Sequence, residues 1–331
     1  MKEVNLHAVE WVGAMSLEET DAGLRPWRLP VEWLDFLHER TRFQAGNPSG
    51  VRLRFSSSAG LVVLRVNPER ETRWFDLMSD GRPSGRVALE AGGTEVAFHG
   101  LAAGTKVLEL WLNHMYAPVV VQSLSVDDNA SLEPAPPPGM PRILFHGSSI
   151  SHGRKAAGPT ESWPVGAARL AGLDPLNLGV GGACRLEPAV ARVIRGLPAD
   201  YLSFCFGVNV VAARTHDVGA FRAGVVGFIQ IVREGHPDTP LAVQGPIFCR
   251  KLEDTEPAGS LSLRRCREIL REVVECFRGH GDRKMMYGGD LEMFGEPDER
   301  MLFDGVHPDA EGHPIMSRRY AEQVWPRLRA L

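Results

Sequence analysis

The chain has 331 residues, of which 44% are hydrophobic and 24% are charged, and its formal net charge is -4. This length fits one large domain or two smaller ones, and the composition is typical of a globular protein. The balance of charge argues against a nucleic-acid or anionic-membrane partner, and no apolar run approaches the roughly 20 residues of a membrane span.

The N-terminus and the cysteines both bear on the cell compartment. Residues 1–20 carry charges early and contain no continuous apolar stretch, so we expect no secretory signal. The five cysteines all follow residue 180 and form no CxxC pair, which argues against a disulfide framework. The sequence therefore predicts a cytoplasmic protein.

The first 135 residues show the pattern of antiparallel strands. Apolar positions alternate along 51–55 (VRLRF), 108–113 (LELWLN) and 119–126 (VVVQSLSV), and turn-forming clusters such as NPSG and SDGRPSG separate such runs. Only 31–42 (VEWLDFLHERTR) suggests a helix. We therefore predict an antiparallel, jelly-roll-like β-sandwich over residues 1–135.

A proline-rich stretch, Glu133–Pro141 (EPAPPPGMP), ends this pattern. Such proline density favours an extended and fairly stiff linker. We place the linker at residues 136–141 and a second domain at residues 142–331.

The second domain alternates short apolar strands with amphipathic helices. The predicted strands are RILFHG (142–147), LNLGV (176–180), YLSFCFG (201–207), LAVQGPI (241–247) and KMMYGG (284–289). Helical periodicity marks SWPVGAARLAG (162–172), FRAGVVGFIQIV (221–232) and LSLRRCREILREVVECF (261–277). This alternation predicts an α/β domain with a parallel sheet covered on both faces, in which catalytic groups gather at the carboxyl ends of the strands.

Four short stretches contain the residue types of serine catalysis: HGSSISHG (146–153), NLGVGGA (177–183), FGVNVV (206–211) and FDGVHPDAEGH (303–313). Asp304 precedes His307 by three residues, a spacing that lets the carboxylate meet Nδ1 and leaves Nε2 as a base. Taken singly, each stretch is more common as a turn or a helix cap. The residues alone leave open which of Ser148, Ser149 and Ser151 would be the nucleophile.

Together and in this order, the four stretches resemble the blocks of the SGNH (GDSL-type) hydrolase family, which is named for serine, glycine, asparagine and histidine. The resemblance covers residues 142 to 315. It implies Ser149 as the nucleophile, with Ser148 standing where the family motif has aspartate. It also implies Asp304 and His307 as the remaining members of the catalytic triad.

The same resemblance implies an oxyanion hole formed by Ser149, Gly182 and Asn209. It further implies an SGNH-type three-layer α/β/α fold for the second domain. The sandwich, the proline-rich linker and GSSISHG resemble two-domain GDSL-type proteins that include acyltransferases of tetracycline-like polyketide pathways. Some carbohydrate esterases also pair a small jelly roll with an SGNH domain.

Other chemistries fit the sequence less well. A dinucleotide-binding motif fails because Cys184 stands where the last glycine of GxGxxG belongs, and no phosphate-binding loop occurs. His146 and His152 flank the serines without a further set of metal ligands. Cys205 lies inside an apolar strand, whereas Cys184 lies in the glycine loop and could line the site. We therefore expect no cofactor and no metal.

Three functions remain open on the sequence. The first is a serine-dependent ester hydrolase or deacetylase, and the second is an acyltransferase that passes the acyl group from an ester or thioester to an alcohol. Both require a small-molecule ester or acyl donor as partner, and the sequence does not predict the oligomeric state. The third is a carbohydrate-binding protein with an inactive hydrolase scaffold, which would use some of the tryptophans of the first half (Trp11, Trp27, Trp33, Trp74 and Trp111).

Overall fold

The computed structural model describes residues 1–115, 117–254 and 260–331, and these divide into two units. The sandwich unit comprises Met1–Val31, Ala45–Gly139 and Ala157–Thr160. The α/β unit comprises Glu32–Gln44, Met140–Ala156 and Glu161–Leu331.

Two short segments depart from the predicted ranges 1–135 and 142–331. Residues 32–44 belong to the α/β unit and residues 157–160 to the sandwich unit. Hydrogen bonds give the physical reason: the Thr41 hydroxyl donates to Glu187, and the Thr160 backbone N–H and hydroxyl donate to Asp76 at 2.9 and 2.6 Å. Hydrogen bonds between residues so far apart in sequence could not be predicted from the sequence pattern.

The sandwich unit is built from two antiparallel six-stranded sheets among the described residues, which confirms the predicted β-sandwich. The first sheet has the order β3-β4-β11-β6-β9 with β1 beside β11, and the second has the order β12-β5-β10-β7-β8 with β2 beside β5. The strands are β1 Lys2–Val4, β2 Glu10–Val12, β3 Ser16–Thr20, β4 Gly23–Trp27, β5 Arg52–Ser57, β6 Leu61–Val66, β7 Arg73–Ser79, β8 Arg82–Leu89, β9 Glu95–His99, β10 Lys106–Trp111, β11 Val121–Val126 and β12 Leu132–Glu133.

The core of the sandwich follows the predicted alternation. Leu108, Leu110 and Leu112 are all fully buried and belong to one apolar cluster with residues of both sheets. The basic residues of β5 are buried as well, which alternation alone does not indicate. Arg52 donates from Nε to Glu109 of β10 at 2.9 Å and lies over the Trp111 ring at 4.4 Å.

The tryptophans of the first half are mostly packed. Trp27 and Trp111 are buried, and Trp11 packs against the sandwich core. Trp33 is half-buried and lies in the α/β unit, so it is not part of the sandwich. Trp74 alone among these five is exposed, at 37%. Carbohydrate binding by these side chains stays a prediction.

The α/β unit contains a five-stranded parallel sheet in the order β14-β13-β15-β16-β17. Its strands are β13 Arg142–His146, β14 Asp174–Asn177, β15 Tyr201–Cys205, β16 Leu241–Gln244 and β17 Met285–Tyr287. The α-helices are α1 Glu39–Ala45, α2 Ser149–His152, α3 Trp163–Ala171, α4 Pro188–Gly196, α5 Val208–Ala212, α6 Val218–Arg233, α7 Arg250–Glu253, α8 Leu263–Gly279, α9 Gly312–Arg319 and α10 Trp325–Arg329. Short 3-10 helices cover Val31–Phe36, Pro159–Glu161 and Glu296–Met301, and a π-helical turn covers Tyr320–Val324.

Helices cover both faces of this sheet, which confirms the three-layer α/β/α prediction. On one face, Phe145 of β13 packs edge-on against Trp163 of α3 and Tyr320. The next residue, His146, points to the other face and stacks on Phe228 of α6. Because adjacent side chains of a strand point to opposite faces of the sheet, Phe145 and His146 pack against different helix layers.

Local sequence signals place several elements well. Helix α3 begins after Ser162 with proline in its first turn, within the predicted range 162–172. It ends at Gly172, which adopts a left-handed backbone conformation as the C-cap. Strand β14 begins two residues before the predicted LNLGV, because Asp174 and Pro175 pair with β13. It ends at Asn177, whose side chain accepts the Gly179 N–H at 2.9 Å and turns the chain. Helix α4 was not predicted.

Within the described ranges, no helix is both long and apolar enough to cross a membrane. All five cysteines are free thiols.

Candidate active site

The predicted site residues follow four different elements of the α/β unit. Ser149 begins α2 just after β13, Gly182 lies in the loop after β14, and Asn209 lies in α5 just after β15. Asp304 and His307 lie in the loop between β17 and α9. In a parallel sheet these loops share the carboxyl edge, where the strand order reverses and ligands bind.

Ser149 is held at the start of a four-residue helix. Ser148 is its N-cap and accepts the Ile150 N–H with its Oγ at 3.2 Å. Serine and aspartate are both good N-caps, so Ser148 performs the local structural task of an aspartate at this position. A Cβ on Gly147 would lie 2.4 Å from the Ser151 Oγ and 3.0 Å from the Ser151 Cβ, so a side chain there would displace Ser151. Both serines are buried, and Ser149 keeps 7% of its surface exposed whereas Ser151 keeps 1%.

The structure brings Ser149, His307 and Asp304 into one hydrogen-bonded chain. The Ser149 Oγ lies 2.8 Å from His307 Nε2, and His307 Nδ1 lies 2.8 Å from Asp304 Oδ2. The Asp304 Oδ1 also accepts the backbone N–H groups of His307 and Val306 at 2.9 and 3.1 Å. With the carboxylate facing Nδ1–H, the lone pair of Nε2 faces the serine hydroxyl.

The electrostatics of this chain keep the imidazole neutral. Burial lowers the pKa of His307 below its ordinary 6.5, and the charges of Arg154 and Lys155 lower it further, although Asp304 opposes them. Burial raises the pKa of Asp304, but hydrogen bonds from the His307 backbone and side chain outweigh it and hold that pKa below its usual value. At neutral pH the pair is therefore a carboxylate beside a neutral base.

This arrangement predicts the pH dependence of turnover. Because only neutral His307 can accept a proton, kcat/KM should rise with pH through an apparent pKa below 6.5 and level off by about pH 7. Lys155→Met removes a charge that lowers the pKa, so the rising limb should move to higher pH. Initial rates across a pH series give the apparent pKa of the wild type and of Lys155→Met, with Lys2→Met as the charge-matched control. An apparent pKa above 7 for the rising limb of the wild type would contradict the prediction that His307 is the base.

A second histidine of the same stretch has a different environment. His313 is completely buried, and burial lowers its pKa to about 4. Its Nδ1 accepts the Trp163 N–H at 3.3 Å, and its Nε2 lies 2.8 Å from the Arg154 carbonyl. Both ring nitrogens are thus occupied by the backbone, which leaves His307 as the histidine that contacts Ser149.

The glycine loop forms a tight turn at Val180–Ala183. The Ala183 N–H donates to the Val180 carbonyl at 3.2 Å, and Gly182 has a φ of +68°. A positive φ at the third residue alone is that of a type II turn, which requires glycine there. Within the described part of the chain, the Gly182 N–H has no acceptor. It is therefore available as a hydrogen-bond donor.

Asn209 is connected to this turn. Its Oδ1 accepts the Cys184 N–H at 3.0 Å, so its Nδ2 is the side of the amide left to donate. Ser149 is the first residue of α2, where a backbone N–H has no partner within the helix. The oxyanion hole formed by these three N–H groups stays a prediction.

The alternative nucleophiles and ligands considered from the sequence have structural roles. Burial raises the pKa of Cys205 to about 12 and that of Cys184 well above its ordinary value, so neither forms a reactive thiolate. His146 Nδ1 lies 2.8 Å from the Leu178 carbonyl, and His152 accepts the Gly181 N–H at 3.2 Å. Over the residues described, no three His, Cys, Asp or Glu side chains are grouped so as to hold a metal ion.

Sequence reasoning missed two arginines beside the glycine turn. Arg40 donates from Nε to the Gly181 carbonyl at 3.3 Å, and Arg185 donates from Nη2 to the Gly182 carbonyl at 3.2 Å. Arg40 is 141 residues from its partner in sequence, and no local pattern marks it.

Comparisons with known proteins cover both halves of the chain. A family model described as GDSL-like Lipase/Acylhydrolase family matches residues 145–315, and one described as SsfX3, N-terminal domain, matches residues 9–121. A search of curated proteins found no match. Among solved structures, the salicylyl-acyltransferase SsfX3 from a tetracycline biosynthetic pathway is 29% identical, with a TM-score of 0.91 over 100% of this chain and 98% of that chain.

Two further solved structures share the fold at lower identity. A putative GDSL-like lipase from Bacteroides ovatus is 20% identical, with a TM-score of 0.83 over 99% of this chain and 98% of that chain. A family two carbohydrate esterase from Clostridium thermocellum, solved in complex with cellohexaose, is 20% identical, with a TM-score of 0.67 over 86% and 94%. At this identity the likeness is evidence for the fold alone.

Proposed function

This chain belongs to the GDSL-like lipase/acylhydrolase family, and we propose that it cleaves a small-molecule ester through an acyl-enzyme on Ser149. The observation that carries the proposal is the hydrogen-bonded chain from Ser149 through His307 to Asp304. A serine hydroxyl becomes nucleophilic when an adjacent base takes its proton and a third group orients that base. These contacts supply each of those parts.

In the proposed first half-reaction, the Ser149 Oγ attacks the acyl carbonyl while His307 Nε2 takes the hydroxyl proton. The resulting oxyanion accepts hydrogen bonds from the N–H groups of Ser149, Gly182 and Asn209. The intermediate then collapses, the bond to the leaving alcohol or thiol breaks, and His307 gives its proton to that leaving group. The acyl group remains as an ester on Ser149.

In the second half-reaction, His307 deprotonates an attacking water. The water oxygen forms a new bond to the acyl carbonyl, the bond to Ser149 Oγ breaks, and the proton returns from His307 to the serine. The products are a carboxylic acid and the free enzyme. Asp304 keeps Nδ1–H oriented throughout and stabilises the transient imidazolium.

The second candidate is acyl transfer, in which an alcohol takes the place of water in the same step. One observation favours it: the likeness to SsfX3 extends over the full chain at 29% identity, and that protein is named a salicylyl-acyltransferase. The match of residues 9–121 to the SsfX3 N-terminal domain adds to this support. Both candidates share the acyl-serine and differ only in the acceptor.

Mass spectrometry of the intact protein tests the shared step and then separates the two acceptors. Across a panel of acyl esters and acyl thioesters, we expect an added acyl mass that maps to Ser149 and disappears on longer incubation. Added alcohols should leave the product acid unchanged for a hydrolase and divert the acyl group to a new ester for an acyltransferase. An acyl mass on any residue other than Ser149 would contradict the proposal.

We also propose a cytoplasmic location for the protein. The support is the set of five free cysteines, of which three are buried: Cys184, Cys249 and Cys266. Free thiols persist in reducing compartments.

A further inference from the structure

We propose that Arg40 is a positioning residue that orients the Gly182 N–H toward the oxyanion, an inference that rests on the proposed acyl-serine function. Arg40 lies in the first half of the sequence but belongs to the α/β unit, within the segment Glu32–Gln44. It contacts the glycine turn and none of the reacting groups, so its effect would pass through the backbone of the turn.

The orientation of the Gly182 N–H is set by the peptide between Gly181 and Gly182. It is the central peptide of the Val180–Ala183 turn, and it joins the Gly181 carbonyl to the Gly182 N–H. In a trans peptide these two groups point in opposite directions. Whatever holds the carbonyl of Gly181 on one side therefore holds the N–H of Gly182 on the other.

This peptide has little intrinsic preference for one orientation. Rotation of the central peptide interconverts type I and type II turns, which differ in the ψ of the second residue and in the φ of the third. Glycine on both sides of the peptide removes the side-chain clashes that would otherwise select one form. Intrinsic backbone preference therefore does not select the observed φ of +68° at Gly182, and a contact with the peptide can select it.

Arg40 provides that partner. Its Nε–H donates to the Gly181 carbonyl at 3.3 Å. The guanidinium also occupies the place where a side chain on Gly182 would be, since a Cβ there would lie 2.6 Å from the Arg40 Cζ. A charged donor on a peptide carbonyl is stronger than a neutral one, and it polarises the peptide so that its N–H becomes a better donor.

Other bonds hold the rest of the turn and leave this one peptide to Arg40. The Gly181 N–H donates to His152 Nδ1 at 3.2 Å, and the Gly182 carbonyl accepts from Arg185 at 3.2 Å. The Cys184 N–H donates to Asn209. Among the described hydrogen bonds of this turn, that from Arg40 is the one made to the Gly181 carbonyl.

The segment that carries Arg40 is tied to the same loop. Glu187, which precedes α4, accepts the His38 N–H at 3.0 Å with one carboxylate oxygen and the Thr41 hydroxyl with the other. Gln44 packs against Gly181, where a Cβ would lie 3.2 Å from its Oε1. Arg40 is therefore presented to the turn by an anchored helix.

The test compares Arg40→Met with Arg42→Met in the full chain. Arg42 lies on the same helix, is half-exposed and pairs with the exposed Asp35 at 3.2 Å, so its replacement is a matched control. The readouts are kcat and KM for an activated ester, and the affinities for a trifluoromethyl ketone, which becomes tetrahedral on Ser149, and for an unreactive amide analogue of the ester.

We expect Arg40→Met to lower kcat by about 10- to 100-fold, because loss of a full oxyanion donor costs about 10²- to 10³-fold and the turn keeps part of its correct orientation. Affinity for the trifluoromethyl ketone should fall by a similar factor. KM and the affinity for the amide analogue should stay within about twofold, and Arg40→Lys should restore part of kcat. Arg42→Met should behave as the wild type.

Three outcomes would overturn the inference. Unchanged kcat in Arg40→Met would show that the turn needs no support from Arg40. A raised KM with unchanged kcat would make Arg40 a binding residue for an anionic substrate instead. A crystal structure of Arg40→Met that keeps the Gly181–Gly182 peptide in place would also contradict it, and this readout does not depend on activity. A wild-type protein that forms no acyl-serine would instead overturn the proposed function.

Discussion

Replacing Ser149 or His307 by alanine is expected to lower kcat by about 10⁶-fold, the loss typical of removing the serine or histidine of a triad. Ser149→Ala removes the atom that forms the acyl bond. His307→Ala leaves the serine proton without the acceptor that lies 2.8 Å from it. Because the two groups act as one unit, either loss alone should cost nearly as much as both together.

Steady-state turnover of an activated ester and labelling by a fluorophosphonate probe measure this effect. Ser149→Ala should abolish labelling, and His307→Ala should slow it severely. Ser151→Ala is the matched control in the same helix, and Ser148→Ala should keep labelling while losing about 1 kcal/mol of stability with its N-cap bond. Labelling that follows Ser148 or Ser151, or wild-type turnover in His307→Ala, would rule out the proposed triad.

The second large effect is expected for Asp304→Asn, which should lower kcat by about 10⁴-fold with little change in KM. The carboxylate accepts Nδ1–H of His307 and two backbone N–H groups. An asparagine presents one oxygen and one NH₂ group, so it favours the imidazole tautomer with its proton on Nε2. That tautomer cannot accept the proton of Ser149.

The pH profile of the same variant offers an independent readout. Asp304 raises the pKa of His307, so removing its charge should move any residual rising limb to lower pH. Asp309→Asn serves as the control, since Asp309 caps the following turn through Oδ1 and asparagine is an equally good cap. Equal losses in the two variants would point to general disruption of the loop rather than to loss of the triad carboxylate.

Much of the fold could be predicted because its signals are local. Alternating leucines in 108–113 mark a strand that buries one face, and Ser162 followed by Pro164 marks the start of α3. Strand β14 ends at Asn177, before the end of the predicted stretch LNLGV, because the Asn177 side chain turns the chain there. Apolar periodicity does not register such a side-chain hydrogen bond, which forms only once the loop has its path.

The resemblance carried by four motifs in order implied Ser149, Gly182, Asn209, Asp304 and His307 as the site residues. The residue types alone left the choice among Ser148, Ser149 and Ser151 open. Sequence could not show that the Ser149 Oγ faces His307 Nε2, since that contact joins residues 158 positions apart. Nor could it distinguish His307 from the buried His313 by environment, because burial depends on packing from several elements. Arg40 could not be identified from the sequence for the same reason. Its segment, residues 32–44, meets the glycine turn only in the tertiary fold, where hydrogen bonds to Glu187 anchor the segment. Local pattern determines which residue types stand at the ends of the strands, and packing across the whole unit decides which of them touch.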